Sequence, residues 1–126
     1  MINPYEKYKQ QSVMTMTQGD MIKLLFDEAI KQLERGCLCL NNRDLEGSND
    51  AFLRCQKIFN HFIATLDMQY EISQNLASLY EFFNYKIIQA NIHKNAADIE
   101  DILPMVTELK DSFAQADKQA RILQNS

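Results

Sequence analysis

Thr65-Leu-Asp-Met-Gln-Tyr-Glu-Ile-Ser-Gln-Asn-Leu-Ala-Ser-Leu-Tyr-Glu-Phe-Phe-Asn-Tyr-Lys-Ile-Ile-Gln-Ala-Asn-Ile-His93 decides the fold. Leu76, Leu79, Tyr80, Phe83, Ile87 and Ala90 recur in steps of three and four, which puts them on one helix face. Phe82, Tyr85, Ile88 and Ile92 fall off that stripe, where a two-sided surface helix places polar residues. Asp67-Met68-Gln69 reads as the break before the helix, Ser73 as its N-cap, and His93 as its end.

Working outward, the same periodicity appears three more times. One helix is expected from Thr17, with Thr17 and Asp20 spaced as in a capping box. Its stripe is Ile22, Leu25, Phe26, Ala29, Ile30, Leu33, Cys37 and Leu40. Asn41-Asn42-Arg43 breaks it. The second helix starts near Asp44, with Ala51, Phe52, Cys55, Ile58, Phe59, Phe62, Ile63 and Leu66 inward. Gly47 should weaken its first turn by about 1 kcal/mol relative to Ala. The last helix follows Asn95 as cap, with Asp98 three residues on. Ile102, Val106, Leu109, Phe113, Ala116, Ala120 and Leu123 form a heptad-type seam. Pro104 predicts a bend, or a helix whose regular part starts there. Residues 1–16, with Tyr5, Tyr8, Met14 and Met16, read as a loosely docked arm.

Helices of about 20–27 residues span roughly 30–40 Å, and short connections make neighbours antiparallel. The expectation is a single all-α domain, an up-down-up-down four-helix bundle over residues 17–123 with a short N-terminal arm. The 126 residues include only 3 Gly and 2 Pro, as long regular elements require. A net charge of −4 without a basic stripe argues against nucleic acid. No run of eighteen apolar residues predicts a membrane span, and no charged-then-apolar leader opens the sequence. With three cysteines lacking framework spacing, the expected location is the cytoplasm.

Chemistry-bearing constellations do not stand out. No Glu precedes a His by three residues, as di-iron bundles require. Cys37 and Cys39 sit about 200° apart around a helix, so with Cys55 they read as three buried small hydrophobes. No cofactor and no metal are expected, and the chain does not read as an enzyme. His61, on the exposed side of the second helix, is the one alternative, a phosphotransfer or signalling bundle. Its following residues, Phe62-Ile-Ala-Thr65, lack the Lys and Gly that such modules use. His93 reads as a charge complement to a helix C-terminus.

Three segments carry a resemblance. Asn3-Pro-Tyr-Glu-Lys-Tyr-Lys-Gln-Gln-Ser-Val13 matches an Asn-Pro-Tyr-x-x-Tyr opening. Met21-Ile-Lys-Leu-Leu-Phe-Asp-Glu-Ala29 matches a first-helix segment. Leu66-Asp67, Ile72-Ser-Gln-Asn-Leu76, Leu79-Tyr-Glu-Phe-Phe83 and Gln89-Ala-Asn-Ile92 match a third-helix signature. In order and spacing the chain resembles the flagellin-specific export chaperones, the FliS family. It departs at Glu28, where the family has Gly, at Tyr85-Lys86, where it often has two Arg, and at Phe113, where it often has Trp.

The resemblance implies a cytoplasmic bacterial chaperone. It would bind the C-terminal segment of flagellin, prevent premature polymerisation and aid delivery to the flagellar type III export gate. It also implies that the arm covers part of the binding surface in the free protein, and that its second tyrosine, Tyr8, docks at the gate. On that basis the candidate partner-binding residues are Tyr5, Tyr8, Met14, Leu38, Phe82, Tyr85, Ile88, Asn91, Ile92 and Met105. Apolar side chains at helical spacing suit a helix-in-groove partner. The bland reading is that they close a wide core or a homodimer contact.

Overall fold

The structure, a computed structural model, describes residues 18–124. It contains four helices: α1 (Gln18–Asn41), α2 (Leu45–Thr65), α3 (Glu71–His93) and α4 (Ala97–Gln124). The all-α bundle is the expected one. α1 and α3 each pack on both α2 and α4, so the helices run in order around the core. Thr17 and the arm, including Tyr5, Tyr8 and Met14, lie outside the described residues.

The apolar stripes meet in one core. Phe26, Leu33, Phe52, Phe59, Phe83, Ile87, Ile102 and Val106 are fully buried. An aromatic chain crosses all four helices. Phe113 meets Phe26 at 5.5 Å between ring centroids, Phe26 meets Phe62 at 4.7 Å, and Phe62 meets Tyr80 at 5.4 Å. Tyr80 then meets Phe59 at 6.0 Å, and Phe59 meets Phe83 at 5.3 Å. These separations fall in the favoured range for aromatic pairs.

The two ends of the bundle differ. At one end the turns are tight. Asp44 caps α2, its carboxylate accepting the Gly47 N–H at 2.9 Å. Lys94 closes α3 in the left-handed conformation, its N–H donating to the Ala90 carbonyl. The Asn95 side chain accepts the Ala97 N–H at 2.9 Å, while the Ala96 carbonyl takes the first intrahelical bond, from Glu100. The expected Asn95 cap is thus an Asx turn one residue outside the formal cap. At the other end, where α1 starts and α4 stops, the bundle is open.

Several sequence expectations change. Ser73 is not an N-cap. Tyr70 holds that position without a side-chain bond, and Ser73 lies buried in the first turn, its hydroxyl donating to the Asp67 carbonyl at 2.6 Å. The α4 seam holds only as far as Phe113. Ala116, Ala120 and Leu123 are exposed; Ala116 borders the clefts toward α1 and α3 rather than closing them. Ile99, outside the expected seam, is fully buried. α4 runs through Pro104 from Ala97, so its regular part does not begin at the proline. Gly47 does more than weaken a turn: an added Cβ would sit 2.8 Å from the capping Asp44 carboxyl carbon and 2.9 Å from Cys39 Sγ. Of the cysteines only Cys55 is buried, its thiol donating to the Ala29 carbonyl at 3.6 Å; Cys37 and Cys39 are half-buried.

Gly36 is a close-approach glycine that periodicity does not reveal. An added Cβ would overlap the Phe52 ring, with Cδ1 at 2.8 Å. Alanine there gains about 1 kcal/mol of helix propensity but overpacks the α1/α2 contact at a cost of about 1–3 kcal/mol. Gly36→Ala should therefore lower the denaturation midpoint, whereas a neutral or raised midpoint would show that α1 and α2 separate freely.

Candidate functional site

The exposed apolar side chains of α3 are distributed by their rotation around the helix. Two contacts fix that rotation. Lys86 reaches across to α4, its ammonium 2.9 Å from Asp98 and 3.0 Å from Asp101. These carboxylates hold the Lys86 pKa above the ordinary lysine value, the hydrogen bond from Lys86 to Asp98 being the largest cause. On the opposite flank Asn84 donates to Asn60 at 2.9 Å and Asn91 to Asn49 at 2.8 Å, tying α3 to α2.

Phe82 precedes Lys86 by one turn, and Met105 follows Asp101 by one turn. In antiparallel helices those two positions come level on the α3/α4 side. Both are about four-tenths exposed, Phe82 at 41% and Met105 at 40%. From there the seam opens into a cleft of about 270 Å³ lined by Ile72, Leu76, Leu109, Ser112, Phe113 and Ala116. The α3/α4 seam is the most loosely packed side of the bundle. A second opening of about 200 Å³ leads in at the open end, past Gln18, Ile22, His61, Phe62, Leu76 and Phe113. Leu76 and Phe113 line both, so the two openings adjoin.

The other candidates go elsewhere. Ile88 leans toward α2, level with exposed Leu53, between the two asparagine pairs. Asn91 is engaged in its bond to Asn49 and accepts from Lys94 at 2.8 Å. Tyr85 and Ile92, two turns apart, point straight outward. Leu38 is exposed on α1, diagonal to α3. Sequence reasoning left out Ile72, 63% exposed beside the cleft, and Leu53. Ile72, four residues before Leu76, could have been found by extending the stripe by one turn.

His61 stands in the wall of the end opening, where the described lining residues include no lysine or arginine to support a phosphoryl group. Among the described residues no group of three or more His, Cys, Asp or Glu side chains is placed to hold a metal. No helix among them is long and apolar enough to cross a membrane.

Tyr80 lines the end opening from beneath and is only 2% exposed; burial pushes its phenol up to about 12. The folded state keeps the proton that the unfolded chain loses near 10. Tyr80 therefore contributes stability fully below pH 10, and the contribution is lost as pH rises from 10 toward 12. Absorbance at 295 nm should show Tyr80 titrating late, together with loss of helicity. Titration of every tyrosine near 10 in a folded protein would contradict that burial.

A closed aromatic core beside an apolar, half-open seam defines a helical binding module. The chain belongs to the FliS family: the family model described as flagellar protein FliS matches residues 1–120. The flagellar secretion chaperone FliS of Bacillus subtilis is 28% identical over 119 residues, covering 94% of this chain and 90% of that protein. The protein of the same description from Salmonella typhimurium is 27% identical over 114 residues, covering 88% and 84%. That from Escherichia coli is 23% identical over 110 residues, covering 85% and 81%. None of these descriptions supports the His61 alternative.

Proposed function

We propose that this protein is a flagellar secretion chaperone that works in the bacterial cytoplasm by holding the C-terminal segment of flagellin. The observation carrying this reading is the seam from Phe82 and Met105 into the Ile72–Phe113 cleft. An amphipathic segment laid there buries its own apolar stripe and that of the chaperone. While held, it is unavailable for polymerisation. Release at the type III export gate follows, with Tyr8 of the arm as the gate-facing residue. The proposed role is binding rather than catalysis.

Titration calorimetry with a flagellin C-terminal segment tests this. Binding at micromolar concentration or tighter is expected, with a large negative heat-capacity change from burial and coupled folding. Absence of heat at several temperatures, with segment in the tens of micromolar, would sink the proposal. Removing residues 1–16 should tighten binding or promote oligomers if the arm competes for the seam. Unchanged affinity and oligomeric state would show that it does not.

A further inference from the structure

We infer that Pro104 divides α4 into a fixed stub and a tilting arm, and that the arm is the moving wall of the α3/α4 cleft. The inference rests on the proposal that this cleft takes an apolar segment. Four observations carry it.

First, the stub is fixed on every side. Ile99 and Ile102 are fully buried, Asp98 and Asp101 are ion-paired to Lys86, and Asn95 closes the turn before it. Second, Pro104 has no N–H, so the Glu100 carbonyl loses its partner and the helix has its weakest backbone point there. Third, from Ala114 to Leu123 no residue of α4 is fully buried, and Ala116, Ala120, Ile122 and Leu123 are exposed. Fourth, the two flanks of this stretch differ. Toward α3 it faces the cleft of about 270 Å³. Toward α1 it is held by charge: Lys110 to Asp27, Lys23 to Asp117 at 3.5 Å and Arg121 to Asp20 at 2.6 Å, with Arg121 and Asp117 also paired to each other along α4 at 3.2 Å. Asp117 also lies over Gly19, where a Cβ would leave Oδ2 at only 2.9 Å.

Lever geometry lets such an arm move without opening the core. At 1.5 Å per residue, a tilt of about 10° at Pro104 shifts Val106 by about 0.5 Å, Phe113 by about 2 Å and Leu123 by about 5 Å. Val106 stays buried, the Phe26–Phe113 pair slides, and the cleft changes width. Ion pairs that are part-exposed and weak individually suit a contact that must yield. In about 1 M salt, where screening acts within about 3 Å, the charged clasp loosens.

Paired spin labels on the intact protein read this directly, with Cys37→Ser and Cys39→Ser removing the accessible thiols. The distal pair is Gln74→Cys with Gln119→Cys; the proximal pair is Glu46→Cys with Glu100→Cys. The distal distance distribution should be the broader, should narrow in Pro104→Ala, and should broaden further in Asp117→Asn or high salt. The proximal distribution should not change. A distal distribution as narrow as the proximal one and unmoved by any of these changes overturns the inference.

Addition of the flagellin segment separates the two proposals. A shifted, sharpened distal distance supports the moving wall. Calorimetric binding with no distal shift overturns the moving wall and leaves the docking proposal standing. A broad distal distribution without calorimetric binding supports the hinge and rejects docking.

Discussion

Phe82→Asp combined with Met105→Asp should weaken capture of the flagellin segment by about 100-fold or more, near 3 kcal/mol. Each side chain is about four-tenths exposed and neither packs into the core cluster. Thermal stability should therefore change little, since exposed positions away from special contacts vary within about 0.5 kcal/mol. When a segment docks, both carboxylates would lose water without gaining a partner, a cost beyond the lost apolar contact. Leu38→Asp is the matched control. It adds one of the double variant's two charges, on α1 diagonal to α3, and should leave affinity within about twofold given that distance. Calorimetry on the three proteins measures it. Equal losses in the double variant and the control would mean that general hydrophobicity, not the α3/α4 seam, governs capture.

Phe59→Ala should cost about 3–5 kcal/mol, the range for deleting a buried aromatic side chain. Phe59 is fully buried and stacks or tilts against Phe62, Tyr80 and Phe83 at 5.3–6.2 Å. It is a central link of the aromatic chain, so its neighbours cannot collapse into the void without giving up contacts of their own. Against a typical total of about 5–15 kcal/mol, the loss would leave a marginal fold. Chemical denaturation measures it. Phe59→Leu keeps most of the volume and should cost less than half as much. A Phe59→Ala variant within 1 kcal/mol of the parent would mean that the bundle repacks around the hole.

How far the sequence could be read depended on the kind of information involved. Helix number, order and inward faces were legible, because burial of one face imposes the period of the helix on the chain. The seam through Ala116, Ala120 and Leu123 misled for a related reason. A stripe says which face a helix would bury, but not how closely its neighbours approach that face. The Ser73 cap failed because serine suits both an N-cap and a buried hydroxyl bonding an earlier carbonyl; only the path of residues 67–70 separates the two. Gly36 escaped notice because close approach belongs to a pair, and Phe52 lies sixteen positions away.

The candidate site was legible as a set of surplus apolar residues but not as a place. Phe82 and Ile88 are close in the sequence yet lean to opposite flanks of α3, as Lys86 and the Asn84 and Asn91 amides show. Which surplus residues share a groove depends on how each helix is rotated about its axis. That rotation is set by ion pairs and amide pairs between helices, which no single-helix pattern encodes. The family resemblance supplied the partner class without supplying this grouping.

The ion pairs joining Lys23 to Asp117 and Asp20 to Arg121 also bring the start of α1 and the end of α4 together at the open end. A peptide joined just beyond α4 through a short flexible tether is therefore confined near the cleft at an effective concentration of order millimolar. An affinity tag with an apolar stripe would act as a tethered competitor. It would depress apparent affinity for a free segment without touching the site. A client joined there would saturate the chaperone in cis, making a one-chain complex independent of dilution.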